Sequence, residues 1–371
     1  MNPTRREVLL SMAALLLPQT SAARFLHVGS HAPAGRGLYS FAIEADGSLR
    51  DIGITENTQS PSWLLADAAS QRLYAAEESG NAISVYQQDS QGRLAFEQRL
   101  PSGGQGPVHL SLAAGRLWVA HYGDARFAGL SVLADGSLAP AISWDGCRGP
   151  DRRPGPEQAL RAPRGSQARS GHDAPHGHMI QASPDGRWLL GTDLGRDRLL
   201  VWPLVKDLPP PPASELMLSP GSGPRHFVFH PQDGSLVYVL QEESCTLSTV
   251  RLLPEGPQLL DERSVLPAGF AGTSYASDLV LAPGGRHLYA LNRLYDSIAV
   301  LAIDTPEQPR LIDHHWTRGS YPRNACVVGS SLWVSNQRSD QLSHFDVSRP
   351  EQPRFSGMQV PVPSPAGICA S

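Results

Sequence analysis

Lysine is nearly missing from this sequence. Lys206 is the single one in 371 residues, so positive charge is carried almost wholly by arginine. An excess of charge of either sign is also lacking. The net charge is −4 and the isoelectric point about 6.3, which gives no electrostatic case for a nucleic-acid partner. Cysteine is scarce: Cys147, Cys245, Cys326 and Cys369 are widely scattered, no Cys-x-x-Cys pair occurs, and zinc-ligand spacing is absent. Buried free thiols are the expectation, and the spacing assigns no disulfide. The apolar run from Val8 to Leu17 is too short to span a bilayer. Helical periodicity is missing too. Outside the N-terminal segment no stretch sustains a 3.6-residue repeat, which leaves an all-β chain.

Glycine (35) and proline (33) are plentiful, as expected of many short strands joined by turns. At the N-terminus, Thr4-Arg5-Arg6-Glu7-Val8-Leu9-Leu10 is a twin-arginine pattern, followed by the apolar run and the small residues Thr20, Ser21, Ala22 and Ala23. Residues 1–23 are therefore expected to be a twin-arginine export signal cleaved near Ala22 or Ala23. The alternative is a short N-terminal helix. Export places the mature protein, residues 24–371, in a bacterial periplasm without stable membrane association after cleavage; a monomer is expected.

Strand-like segments ending in a polar residue recur at 25–30, 73–78, 117–122, 189–193, 237–242, 288–293 and 332–337. Their last residues are 48, 44, 71, 49, 51 and 44 positions apart, so seven units follow one another with one insertion in the third step. That period is what four-stranded propeller blades require. In the fifth unit the strands are expected at 226–230, 236–241, 247–253 and 259–266. Turn pairs such as Asp46-Gly47, Asp135-Gly136, Asp185-Gly186, Asp233-Gly234 and Gly284-Gly285 separate strands of this kind. The chain starts on a second strand, and its C-terminal Ser-Pro-Ala-Gly-Ile-Cys resembles a first-strand opening. The C-terminus is therefore expected to supply the missing inner strand of the first blade and close the ring. The expected fold is thus an all-β, seven-bladed propeller. Its insertion, at 145–174, is rich in Arg, Pro and Gly, including Arg148, Arg152, Arg153, Arg161, Arg164 and Arg169. It reads either as a cationic lid or as a solvated loop.

Antiparallel pairing puts the start of each first strand beside the end of each second strand. One rim would then collect His109, His176, His178, Arg225, His226, Asp278 and Arg323 from first strands. Second strands would add Ser30, Glu78, Tyr122, Asp193, Glu242, Arg293 and Gln337. Polar strand ends are ordinary turn formers, and His109 and His226 are read as structural, with Asp193 and Asp278 anchoring turns. The convergence of a carboxylate, imidazoles and arginines is what makes the rim a candidate site, with neighbouring arginines keeping Glu242 ionised.

Gly-Pro-Arg-His-x-x-Phe-His-Pro followed by Tyr-Val-x-x-Glu resembles the lactonase family of seven-bladed propellers. That family includes bacterial 6-phosphogluconolactonases and the fungal carboxymuconate lactonizing enzyme. Asp-Ala-Pro-His-Gly-His at 173–178, Thr-Asp-Leu-Gly-x-Asp-Arg at 192–198 and Leu-Tyr-Ala-Leu-Asn-Arg at 288–293 extend the likeness over the mature chain. The departures are His121 within Ala-His-Tyr-Gly and Gln241 before the glutamate. The resemblance implies catalytic His178, Arg225, Glu242 and Arg293, and their place on the same rim makes His176, Asp193, His226, Arg323 and Gln337 the expected substrate-binding positions. It implies hydrolysis of a small sugar-derived lactone, possible without metal or other cofactor. A lactonizing cycloisomerase and a non-catalytic periplasmic ligand-binding propeller are the alternatives.

Overall fold

In a computed structural model of the chain, residues 24–56, 58–146, 155, 156, 158–168, 171–208, 210 and 214–371 are described. The expected export signal, Cys147 and Arg148, Arg152, Arg153 and Arg169 lie outside them. Among the described residues, twenty-eight strands form seven four-stranded antiparallel sheets. Six of these sheets take their strands in chain order from the channel outwards. Their inner strands are Pro61–Asp67, Pro107–Ala113, Gly177–Ala182, Pro224–His230, Tyr275–Leu281 and Pro322–Val328. The remaining sheet is blade 1. There Pro365–Ala370 pairs antiparallel with Phe25–Ser30, so the C-terminal strand closes the ring as expected. Two single-turn 3₁₀ segments, Pro283–Gly285 and Gln337–Ser339, are the helical content among the described residues.

Burial explains why these residues make blades. Second strands such as Leu73-Tyr74-Ala75-Ala76 are buried on both faces, because each sheet is covered by a neighbour on either side. Outer strands such as Leu94–Pro101 carry only exposed and half-buried residues, as an edge facing solvent should. The apolar core is divided among the blade seams. One cluster joins Tyr238, Leu240 and Leu247 of blade 5 to Leu279, Leu288 and Leu301 of blade 6. Another joins Trp333 and Leu342 of blade 7 to Leu26 and Val28 of blade 1. Tyrosines of second strands add ties to the next blade, Tyr74 to the Gly136 carbonyl and Tyr238 to that of Pro306, each at 2.8 Å.

Strand bounds differ from expectation, and in blade 5 the first two strands start earlier, at Pro224 and Asp233. In blade 5 the outer strand is Gly256–Ser264, not 259–266. Second strands end at Glu77, His121, Gln241 and Asn336, one residue before the polar residue the repeat singles out. The cause is the pleat: successive side chains point to opposite faces. The last strand residue turns into its own sheet, as when Gln241 meets Ser248 and Glu262, or Asn336 donates to Ser343 at 2.9 Å. The next residue faces the channel mouth. Glu242, Tyr122 and Glu78 hold this second position, whereas Asp193, opposite Gly177 and Arg198, holds the first.

Candidate active site

The inner strands share a further feature. Each ladder shifts register near the mouth, between Pro61 and Trp63, Pro107 and His109, Gly177 and Met179, Pro224 and His226, Ala276 and Leu279, and Pro322 and Asn324. A bulge leaves one residue unpaired and re-aims its side chain. The skipped residues include His178, Arg225, Asp278 and Arg323. The rim chemistry thus stands on irregularities of the inner strands.

At the mouth of blade 5, Glu242 Oε2 lies 2.9 Å from Arg225 Nε and 2.9 Å from Arg293 Nη2. Glu242 is placed by its own backbone, whose amide donates to Gly223 O (2.7 Å) and whose carbonyl accepts from Ala276 N (2.8 Å). Arg225 also donates through Nη1 to the Ser277 carbonyl. Arg293 donates to Ala276 O at 2.9 Å and lies over the rings of Tyr275 and Tyr321. Burial and the charge of Arg293 lower the Arg225 pKa to about 10. Burial opposes the charge of Arg293 as well, but the Glu242 carboxylate outweighs it and raises that pKa. The trio carries one net positive charge.

Behind it lie buried imidazoles. His226 Nδ1 donates to Asp278 Oδ1 at 2.7 Å, which leaves Nε2 to accept from Arg225 Nη1 at 3.2 Å. That arrangement is the neutral tautomer, and burial followed by the Arg225 charge lowers the His226 pKa to about 4. The Asp278 carboxylate also accepts from Leu279 N and Ala325 N, both at 2.9 Å. The His178 ring is 5.2 Å from that of His226, and burial with the nearby Arg225 holds its pKa well below the ordinary value. Its Nδ1 is buried and has no hydrogen-bond partner among the described residues. His109 and Trp63 complete the wall, with ring centroids 4.3 Å apart.

The structure gathers Arg225, His226, Glu242 and Arg293 into one network, with His178 beside it. The other expected positions do different things. Arg323 sits 3.6 Å from Glu78, which also faces His31 at 3.6 Å. His176 donates through Nδ1 to Tyr122 O (2.6 Å), stacks on the Tyr122 ring and meets Asp173 at 3.1 Å. Asp193 accepts from the amides of His176 (3.0 Å) and Arg196 (3.2 Å). Gln337 opens a 3₁₀ turn, and its amide donates to Tyr321 O at 3.1 Å. Sequence reasoning passed over Tyr275, Tyr321 and Trp63, which carry no period-breaking signal. It also passed over Glu243, whose adjacency to Glu242 was the available clue. Among the described residues no group of three or more His, Cys, Asp and Glu side chains is arranged to hold a metal ion.

Buried neutral histidines make stability depend on pH. His27 and His226, both with pKa near 4 because burial disfavours the charged form, bind a proton more readily when unfolded. Their contribution is present above about pH 6.5 and is lost as pH falls through 4, at a cost of about 3 kcal/mol each. Melting temperature should therefore drop steadily between pH 6.5 and 4 in a thermal scan series. A flat profile over that window would rule out the neutral assignments.

Comparison with known proteins agrees with this architecture. A 6-phosphogluconolactonase of Bacillus subtilis is 25% identical over 355 residues, covering 92% of this chain and 96% of that one. A 6-phosphogluconolactonase of Yersinia pestis is 25% identical over 316 residues, covering 76% of this chain and 91% of its own. Among solved structures, the periplasmic gluconolactonase PpgL of Pseudomonas aeruginosa superposes with a TM-score of 0.80 at 27% identity, over 93% of this chain and 98% of that one. A Lactobacillus plantarum protein at 22% identity (TM-score 0.82, covering 94% of this chain and 99% of that one) shares the fold. The family model described as lactonase, 7-bladed beta-propeller, matches residues 25–370, and the chain belongs to that family.

Proposed function

We propose that the protein hydrolyses a sugar lactone carrying no phosphate, by attack of water on the lactone carbonyl. The observation that carries the reading is the Glu242 carboxylate held between Arg225 and Arg293 at 2.9 Å each. Glu242 accepts the proton of the attacking water, and the net positive charge of the trio stabilises the oxyanion. Protonated Glu242 then returns that proton to the departing ring oxygen, and neutral His178 supports the leaving group with a hydrogen bond rather than with the proton itself. Relatives named as 6-phosphogluconolactonases and as a gluconolactonase favour hydrolysis over cycloisomerisation or simple binding.

The assignment to unphosphorylated lactones rests on charge. Arg225 and Arg293 share the single carboxylate of Glu242, and Arg323 faces Glu78, so these arginines keep one net positive charge, which the oxyanion takes up. A phosphate dianion would meet little uncompensated cationic charge there. Residues 1–23 add support, because their twin-arginine pattern fits a periplasmic protein, and PpgL is periplasmic.

The test is a panel of aldonolactones, with and without a terminal phosphate, assayed on protein recovered from the periplasmic fraction. Neutral lactones should be turned over with the higher kcat/KM. Preference for phosphorylated lactone would overturn the assignment and point to Arg338, exposed and stacked 3.9 Å over Tyr321. Recovery only from the cytoplasm, with residues 1–23 intact, would remove the export part.

A further inference from the structure

The insertion between blades 3 and 4 is anchored across other blades. Arg161 pairs with Glu262 of blade 5 at 2.9 Å. Gly272 N donates to Arg164 O (2.8 Å) and Gln167 N to Thr273 Oγ1 (2.8 Å), both on the approach to blade 6. Near its end the segment packs onto Gly195 so closely that a Cβ there would lie 1.8 Å from Ala174 O. These contacts reach blades 5 and 6, the blades that carry Glu242 and Arg293.

The deepest anchor is His172. Its side chain is 2% exposed, with Nε2 3.1 Å from Asp197 Oδ1 and Nδ1 2.9 Å from Glu243 Oε2. Both carboxylates are buried, so the imidazole must donate from both nitrogens, and the charged form is the one that fits. Burial opposes that charge, but the hydrogen bonds to Asp197 and Glu243 win, and the pKa is raised to about 10. Asp197 in turn accepts from Gly221 N (2.7 Å) and Gly223 N (2.9 Å), two glycines held at positive φ (73° and 68°). Gly223 O receives the Glu242 amide at 2.7 Å, and Ser222 O receives that of Glu243 at 3.0 Å.

We infer that His172 is a positioning residue for Glu242. Clamped between Asp197 and Glu243, it fixes both ends of the hairpin that carries Arg225 and Glu242. Asp197 holds the Gly221–Gly223 turn where one strand begins, and Glu243 follows the catalytic carboxylate where the other ends. Residues 171–174, at the end of the insertion, are thereby part of the active-site scaffold. Residues that orient metal ligands typically cost about ten- to a hundredfold in activity when removed, and a loss of that order is expected for His172.

This inference rests on the proposed lactonase reading for its kinetic arm, so the test has a second, independent arm. His172→Gln keeps hydrogen-bonding capacity but removes the charge. Measured on the full mature chain below its melting temperature, kcat should fall about tenfold or more, with KM changed less than about threefold. Hydrogen exchange of the peptide covering 221–243 should accelerate about tenfold, independently of any turnover. The double variant His172→Gln/Glu243→Gln, which relieves the unpaired carboxylate, should regain thermal stability but not kcat. Unchanged exchange over 221–243 in folded His172→Gln would overturn the inference. So would parental kcat, or recovery of kcat in the double variant. A parent inactive on every lactone would refute the functional reading, and the exchange result would still decide the role of His172.

Discussion

Glu242→Gln is expected to lower kcat by about 10²- to 10⁴-fold, the range lost with a positioned general base. Glutamine keeps the shape of the side chain and still offers an oxygen to Arg225 Nε or Arg293 Nη2, so the geometry of the mouth is largely retained. What it removes is the proton acceptor and the single negative charge set against two guanidinium groups, whose side chains are only 3% and 6% exposed. The second loss has its own consequence. Breaking a buried pair typically costs about 3–5 kcal/mol, because the remaining charge stays desolvated. Activity and melting temperature must therefore be measured together, and kcat compared where both proteins are folded. If folded Glu242→Gln turned over a neutral aldonolactone within threefold of the parent rate, Glu242 would not be the base.

The same residue shows what could be read from the chain and what could not. A period of 44 to 51 residues, with a polar residue closing each second strand, leads directly to seven blades and one shared rim. Arg225, Glu242 and Arg293 were legible because charged residues at strand ends stand out against buried, apolar second strands. Asp193 was placed one step out of phase. Its strand ends where Gln241 does in blade 5, and the following residue is Leu194 rather than a carboxylate. No composition rule separates these two positions, since both are polar in most blades. The bulges that turn His178, Arg225 and Arg323 out of the ladder are backbone irregularities with no residue signature in this sequence. The anchoring of the insertion was also hidden. His172 meets Glu243 across 71 positions, and such a contact depends on tertiary closeness that periodicity does not encode.

Removal of residues 364–371 is expected to cost more stability than any single substitution. The inner strand Pro365–Ala370 pairs with Phe25–Ser30, and Ser371 exchanges backbone hydrogen bonds with Phe25 at 3.0 and 3.1 Å. It also binds blade 7, whose Ser335 hydroxyl donates to Ala366 O at 2.8 Å. Toward blade 2 it is packed so tightly that a Cβ on Gly367 would lie 2.7 Å from Ser62 O. Deleting it opens the edge of blade 1, exposes buried Val28 and Leu26, and unlinks blades 7 and 2 at once. A melting temperature lower by at least about 10 °C, or no soluble folded protein, is the expected outcome. A truncated chain melting within about 2 °C of the parent would refute ring closure as a source of stability. If truncation yields only aggregate, a circular permutant decides the matter. Arg24 N already lies 2.8 Å from Ser371 O, so a short linker can join the ends while the chain is opened at the turn near Gln308. That permutant keeps every blade complete and should melt close to the parent. If it were as unstable as the truncated chain, continuity of the native termini rather than completion of blade 1 would be the source of stability.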